Sequence, residues 1–393
     1  MLSEQATPVV RTTLPVVGAH LDEITERFYS GLFTAHPELL RDVFNRGNQA
    51  TGDQRRALAG SIAAFAGALL EHPGTRPDVM LGRIAHKHAS LGVTADQYKV
   101  VHEHLFAAIV AVLGEAVTDE VAAAWDEVYW LMANALIALE SRLYQETGVP
   151  DGEVRRSMEI VERQEETPDT ASFLLRPADG SPAGAFRPGQ YVSVQVELPD
   201  GARQIRQYSL SSAPGSPLWR ITVKRIDGDP AGEVSSWLHA HAAPGDVLTV
   251  SAPFGDLVLP EGDGPVLLAS AGIGSTPMLA MLGHLAATGS TRPVTVVHAD
   301  RSPAAHAHRA ELLRLVAELP DARLHLWYEE PGDTDARAGR AEVGLLDLSA
   351  GTTAYLCGPL PFMRAVRGDL LARGVAPADV HYEVFGPDLW LGA

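Results

Sequence analysis

Four short stretches hold residues whose types and spacing suit binding and redox chemistry. Ile84-Ala85-His86-Lys87-His88-Ala89-Ser90-Leu91 carries two histidines two residues apart. On a helix such residues point to nearly opposite sides, whereas residues three or four apart share a face. His88 then aligns with Leu81, Ile84 and Leu91 on an apolar stripe, and His86 with Gly82, Arg83 and Ser90 on a wetter side. The two make a poor metal clamp. One inward imidazole with a free nitrogen is a good axial ligand for haem iron; a core histidine bonded to a carbonyl is the plain alternative.

The second stretch is Ala271-Gly272-Ile273-Gly274-Ser275-Thr276-Pro277. It follows a short apolar strand and precedes a helix, so free amides and the helix dipole would face an anion. Thr276-Pro277 stands where a dinucleotide fingerprint has its third glycine, and an ordinary tight turn fits equally. The third, Tyr355-Leu356-Cys357-Gly358-Pro359, ends a later strand. Ligands of open α/β sheets bind at strand carboxyl ends, so two such elements favour a dinucleotide. Cys357 itself reads as a small buried strand residue. The fourth, Arg206-Gln207-Tyr208-Ser209, puts Arg206 and Tyr208 on one strand face. A guanidinium there pairs with phosphate and a tyrosine packs on a flat ring. Gly232-Glu233-Val234-Ser235-Ser236 reads as a helix start whose amides would add to a pyrophosphate site.

These stretches need three kinds of scaffold. Residues 1–147 read as all helix, with runs at Leu21–Thr34, from Pro37, Arg55–Leu70, Pro77–Ser90, Thr94–Leu113 and Val121–Gln145. Gly148-Val149-Pro150-Asp151-Gly152 breaks the pattern as a domain boundary. Residues 153–260 turn to a period of two, clearest in Tyr191–Leu198, with further strands at Arg206–Ser212, Trp219–Arg225 and Val247–Ala252; this predicts an antiparallel barrel or sandwich. Residues 262–393 alternate strands (Val266–Ser270, Val294–Ala299, Arg323–Glu329, Thr353–Cys357, Val380–Val384) with helices such as Met278–Ala287, predicting an open, mostly parallel α/β sheet.

Composition narrows the classes of function. A chain of 393 residues holds two or three domains, and its net charge of −18 argues against nucleic acid and against anionic membranes. No run is long and apolar enough to span a bilayer, and the N-terminus does not read as a signal peptide. The single cysteine, Cys357, forbids an internal disulfide and suits a reducing cytoplasm.

In this order, Arg206-Gln207-Tyr208-Ser209, Gly272-Ile273-Gly274-Ser275-Thr276-Pro277, Cys357-Gly358-Pro359 and Tyr382-Glu383-Val384-Phe385-Gly386-Pro387 resemble the ferredoxin-NADP reductase type of module. With Phe28-Tyr29, Phe44-Asn45, Asn48-Gln49, Gly52-Asp53-Gln54-Arg55, Lys87-His88, Gln97-Tyr98 and Glu140 before it, the whole chain resembles the flavohaemoglobins. The resemblance implies a globin domain, an FAD-binding barrel and an NAD(P)-binding domain, with noncovalent haem b, FAD, and NADH or NADPH as cofactors.

It implies His88 as the proximal haem ligand, with Tyr98 and Glu140 behind it, a carboxylate making the imidazole more basic. Glu140 sits at helical spacing from Leu136, Ile137, Leu143 and Tyr144, and a carboxylate in that setting needs a partner. Tyr29 and Gln54 would be the polar groups over bound oxygen, Leu58 an apolar gate and Phe44 a haem-edge contact. Tyr191, Arg206 to Ser209, Val234 and Ser235 would hold FAD, with Val384, Phe385, Gly386 and Pro387 beside it and Phe385 against the isoalloxazine. Gly272 to Pro277 and Cys357-Gly358-Pro359 would hold the nicotinamide dinucleotide, and Lys87 and Glu383 would sit at the haem–flavin junction. Ser235-Ser236 departs from the family's frequent Ser-Asn. Arg301-Ser302 either holds a 2′-phosphate or is a solvated loop.

The implied activity is nitric oxide dioxygenase: oxidation of NO with O2 to nitrate at a ferrous haem reduced by NAD(P)H through FAD. Alternatives are an NAD(P)H oxidase or hydroperoxide reductase, and an oxygen- or NO-binding sensor with a maintenance reductase. A cytoplasmic monomer is the expectation.

Overall fold

The structure is a computed structural model and describes residues 1–75 and 77–387. The chain divides into two compact units: residues 1–155 with 195–206 and the segment from Gly386, and residues 156–194 with 207–385.

The first unit is built on helices α1 (Ala6–Ala19), α2 (Leu21–Ala35), α3 (Pro37–Asp42), α4 (Arg46–Ala50), α5 (Asp53–Glu71), α6 (Asp78–Leu91), α7 (Ala95–Leu113) and α8 (Asp119–Thr147). The runs read from periodicity are present, each shifted by a residue or two. Helix α1 was not among them because it carries Pro15 inside, and an internal proline reads as a break; Val10 and Val17 bury its inner face. Helix α7 starts at a capping box, with Thr94 and Gln97 each bonded to the other's backbone.

Helix α6 packs against α8. Its buried line is Leu81-Ala85-Ala89, with Met80 and Ser90 beside it. This corrects the expected stripe. Ser90 is buried rather than wet, its hydroxyl donating to the Lys87 carbonyl, and His88 lies on the flank with its side chain 35% exposed. Alanines at a spacing of four let the two helix backbones approach, which a larger side chain on that line would prevent. Gly92 ends α6 at φ +80, where a Cβ would lie 2.7 Å from the Gly152 carbonyl oxygen.

The barrel strands are β1 (Arg155–Thr167), β2 (Thr170–Pro177), β3 (Tyr191–Glu197), β4 (Arg203–Ser209), β5 (Trp219–Lys224) and β6 (Val247–Ser251), in the order β4-β3-β6-β1-β2-β5. A bridge between Leu210 and Ile221 joins the outer strands and closes the sheet. The strands β1 and β2 are additions to the sequence reading. A nine-residue helix, α9 (Glu233–His241), lies between β5 and β6.

The last sheet comprises β7 (Val266–Ala271), β8 (Val294–Asp300), β9 (Ala322–Tyr328), β10 (Arg337–Ala338), β11 (Thr353–Cys357) and β12 (Val380–Glu383). All of its pairings are parallel, in the order β10-β9-β8-β7-β11-β12. Chain order reverses at β7, which lies between β8 and β11. The ends of β7 and β11 therefore flank the switch point where such sheets bind ligands. Helices α10 (Ser275–Ala287), α11 (Arg309–Glu318) and α12 (Leu360–Ala372) complete this domain. Among the described residues no helix is long and apolar enough to cross a membrane.

Gly92→Ala meets both a left-handed backbone and a backbone clash. It is expected to lower unfolding free energy by about 2 kcal/mol or more, read by urea denaturation.

Candidate functional site

In the helical unit, α6, α7 and α8 bring His88, Tyr98 and Glu140 together. Glu140 is 2% exposed. Tyr98 Oη donates to Glu140 Oε1 at 2.6 Å, and His88 Nδ1 lies 2.9 Å from both that carboxylate oxygen and Tyr98 Oη. A buried carboxylate requires donors, so the imidazole proton belongs on Nδ1 and Nε2 keeps its lone pair. Burial first, then the Glu140 charge, pushes the Tyr98 phenol far above its ordinary range, so it remains a donor. Tyr129 Oη donates to the Tyr98 carbonyl, and Tyr144 Oη to the Val93 carbonyl. These bonds fix the start of α7 and the turn after α6.

Tyr29, on α2, is 5% exposed, and its ring contacts those of Phe33 at 5.6 Å and Phe44 at 5.8 Å. Burial is the main cause that drives its phenol upward; the Gln54 and Gln49 amides pull the other way. Leu58 is four residues after Gln54 on α5 and packs against the helical core, partly buried. Tyr29, Phe44, Gln54 and Leu58 thus belong to one region. Gln49, which the sequence reading quoted without a role, lies in the same region, its amide acting with that of Gln54 on the Tyr29 phenol.

Gln204 was missed altogether. It is buried, and its Nε2 faces the carbonyls of Leu40, Arg41 and Phe44 at 3.0–3.3 Å. Its Oε1 accepts from the Arg46 N–H and from Arg206 Nη1. Asp42, bonded to Arg41 and Arg203, secures the same loop, and its carboxyl is held well below the usual range by those guanidinium bonds. The Phe44 loop and Arg206 thereby share one buried amide. Lys87 Nζ donates to the Gly386 carbonyl at 2.6 Å.

In the second unit, Tyr191 is buried and pairs with Phe254, and Gly255 sits where a Cβ would come within 3.1 Å of its ring. Gln207 Nε2 donates to Ser193 Oγ, Tyr208 is partly buried and Ser209 buried. The Ser235 hydroxyl is engaged inside its own turn, donating to the Gly232 carbonyl and accepting from the Ile226 N–H; Val234 beside it is core. What α9 offers an anion is its N-terminal amides.

The glycine turn is tighter than expected. Gly272–Gly274 forms one 3₁₀ turn and α10 begins at Ser275, so Thr276 and Pro277 lie inside the helix. Pro277 is tolerated there because first-turn amides have no helical partner. Gly272 has φ +53, and a Cβ on Gly274 would lie 2.3 Å from the Cys357 carbonyl oxygen. Gly358, at φ +155, abuts the Ala271 N–H. The Cys357 thiol is buried, its pKa raised by burial, so Cys357 borders the turn through its backbone. Ser275 Oγ is buried with no partner. Glu383 ends β12 opposite Cys357, mostly buried, while Phe385 beyond Val384 is 48% exposed.

A globin model matches residues 26–136, an oxidoreductase FAD-binding domain 157–258 and an oxidoreductase NAD-binding domain 268–368. The class is therefore a globin joined to a flavin- and nicotinamide-dependent oxidoreductase. The flavohemoprotein of Chromobacterium violaceum is 44% identical over 98% of both chains, and that of Rhizobium meliloti 42% identical over 99% of this chain and 100% of its own. A flavohemoglobin from Malassezia yamatoensis, solved with FAD and haem bound, superposes with a TM-score of 0.91 at 39% identity, over 98% of this chain and 100% of its own. The FAD/NAD-binding domain of a nitric oxide dioxygenase from Vibrio cholerae matches 60% of this chain and 100% of its own, with a TM-score of 0.57 at 38% identity. The chain belongs to the flavohemoglobin family, whose cofactors are haem, FAD and a nicotinamide dinucleotide.

The residues present fit these groups. The His88 triangle leaves Nε2 available beside a part-exposed ring, and the Gly274 cradle and the orphaned Ser275 hydroxyl suit a dinucleotide.

Tyr98→Phe removes one of two donors to a buried carboxylate and should cost about 2 kcal/mol in denaturant-unfolding free energy.

Proposed function

We propose that the chain is a nitric oxide dioxygenase, oxidising NO with O2 to nitrate at the expense of NADH or NADPH. The observation that carries this reading is the His88–Glu140–Tyr98 triangle, a basic-histidine arrangement in the same chain as a nicotinamide–flavin reductase. The Vibrio cholerae neighbour, whose FAD/NAD domain this chain matches, is itself a nitric oxide dioxygenase. Haem supplies an iron that binds diatomic gases, and FAD divides a hydride into single electrons.

The chain's residues would do the rest. His88 Nε2 would hold the haem iron. Glu140 accepts from Nδ1 and raises the basicity of the ring, while Tyr98 orients the carboxylate. Tyr29, held as a neutral phenol, would donate a hydrogen bond to a gas bound in the haem pocket, with Gln54 orienting it. Leu58 and Phe44 exclude water.

Arg206 pairs with the flavin pyrophosphate, with Gln207, Tyr208, Ser209 and Tyr191 around the cofactor and the α9 amides at Val234 and Ser235 completing the anion site. Phe385 stacks on the flavin, with Val384, Gly386 and Pro387 shaping that edge, and Lys87 and Glu383 serve the haem–flavin junction. The turn from Gly272 to Pro277, with Cys357-Gly358-Pro359, receives the dinucleotide. The gases O2 and NO are the partners, and the protein works as a cytoplasmic monomer; its one cysteine is buried and needs no oxidising compartment.

With purified holoprotein, NADH and air, NO consumption should be catalytic, with nitrate as product. Tyr29→Phe should lower the rate by about 10² or more, the size of losing a preorganised donor. Consumption of no more than one NO per haem would sink the dioxygenase reading and favour a sensor. Full activity in Tyr29→Phe would remove Tyr29 from the distal assignment.

A further inference from the structure

The sequence leaves Arg301-Ser302 open between a 2′-phosphate site and a solvated loop, and the structure gives Arg301 a specific neighbour. Strand β8 runs parallel to β7 with Ala299 opposite Ala271. Asp300 and Arg301 therefore leave the sheet beside the first glycine of the turn, Gly272. That is the corner where folds of this kind meet the adenine ribose. An acidic residue there suits a free 2′-hydroxyl, and an arginine suits a 2′-phosphate.

The two side chains divide the corner. The Asp300 carboxylate is turned inward, its side chain 5% exposed. Its Oδ1 accepts the Arg301 N–H at 2.7 Å, and its Oδ2 lies 3.6 Å from His298 Nε2. The Arg301 side chain is 62% exposed and is the cation presented at this edge. The barrel has taken its guanidinium: Arg301 Nη2 donates at 3.2 Å to Asp169 Oδ2, in the turn between β1 and β2.

Asp169 is itself held. Its Oδ1 accepts from the hydroxyls of Thr167 at 2.8 Å and Thr170 at 3.0 Å, while its Oδ2 faces Lys224 Nζ at 3.5 Å as well as Arg301. Its carbonyl accepts the Arg225 N–H. The root of the arginine is pinned too, since the N–H groups of Glu329 and Glu330 donate to the carbonyls of Asp300 and Arg301.

Charge then separates the two coenzymes. NADPH differs from NADH by a phosphate monoester, which carries close to two negative charges at neutral pH. A phosphate that reaches Arg301 must displace the Asp169 carboxylate or share the guanidinium with it, and like charges at such range repel. The exposed acids Glu329 and Glu330, which follow β9, add to that repulsion. Ser302 Oγ accepts the Ala305 N–H inside its own turn.

We propose that Asp169 is a specificity-determining residue: by holding Arg301 on the barrel it withholds the guanidinium from a 2′-phosphate, and the chain selects NADH over NADPH. It acts through Arg301, as a positioning residue. The inference rests on the reading that a nicotinamide dinucleotide reduces FAD in this chain.

The test is anaerobic stopped-flow flavin reduction in the full-length holoprotein, giving a limiting rate and an apparent Kd for NADH and for NADPH. Calorimetric binding of two fragments, adenosine 2′,5′-bisphosphate and 5′-AMP, accompanies it. Wild type should favour NADH by about tenfold or more in the ratio of rate to Kd. Asp169→Asn should tighten NADPH by about fivefold, in Kd and not in limiting rate, and leave NADH within about twofold. Asp169→Glu should keep most of the preference for NADH. Adding Arg301→Ala to Asp169→Asn should cancel the gain, because the gained contact is the guanidinium's.

A wild type that prefers NADPH, or an unchanged NADPH-to-NADH ratio in Asp169→Asn, would overturn the proposal. So would a gain that survives Arg301→Ala, or equal losses with both coenzymes, which mark a merely structural role. If neither coenzyme reduces the flavin in wild type, the functional reading fails instead, and the fragments judge the selectivity alone. A bisphosphate that binds more weakly than 5′-AMP in wild type and gains on it in Asp169→Asn supports the assignment; no difference between the two proteins refutes it.

Discussion

A carboxylate with 2% exposure has to be answered by donors, and in the helical unit that demand falls on Glu140. Its two answers come from different helices, Tyr98 on α7 and His88 on α6. Satisfying Glu140 therefore aligns three helices and also selects a tautomer, since the imidazole proton is drawn to Nδ1 and the lone pair is left on Nε2. The alanine line of α6, the left-handed stop at Gly92 and the tyrosine bonds to the Tyr98 and Val93 carbonyls keep that alignment. A polar triangle inside an apolar core is both a structural cost and the source of the site's chemistry.

The reductase half relies on main chain where the globin half relies on side chains. At the switch point, close approach of two turns is possible because Gly274 has no Cβ to strike the Cys357 carbonyl. Amides at the starts of α9 and α10 supply positive potential without a buried charge. Side-chain charge enters at the join of barrel and sheet, where Arg220 pairs with Glu311 and His308 lies 3.3 Å from both Glu166 and Glu311. Gln204 serves the first unit in a similar way, one buried amide holding both the Phe44 loop and Arg206.

Much of this was legible in the order of residues, because helical and alternating patterns encode neighbours along the chain. The three scaffolds, most elements, the glycine turn and the ends of β7 and β11 followed from period and punctuation alone. Periodicity placed Ser90 on the wetter side; packing buries it, since the contact line of α6 is set by what α8 presents. Pro15 concealed α1, and Thr276-Pro277 concealed the true start of α10. Ser235 is among the residues that the resemblance assigns to FAD, and its hydroxyl is engaged in its own turn. The contacts of Gln204 and His308 were illegible for one reason: their partners lie far away in sequence, His308 bonding to Ser172 across 136 positions. Local spacing carries no information about such pairs.

The account stands on three cofactor sites acting in one chain, and an absorption spectrum of the purified protein before and after anaerobic NADH tests it most directly. A sharp haem band with flavin absorption, then flavin bleaching and a shift of the haem to the ferrous form, is the predicted result. Flavin without haem would reduce His88 to a core histidine. Haem that NADH and NADPH both leave ferric would contradict the electron path on which the proposed function depends.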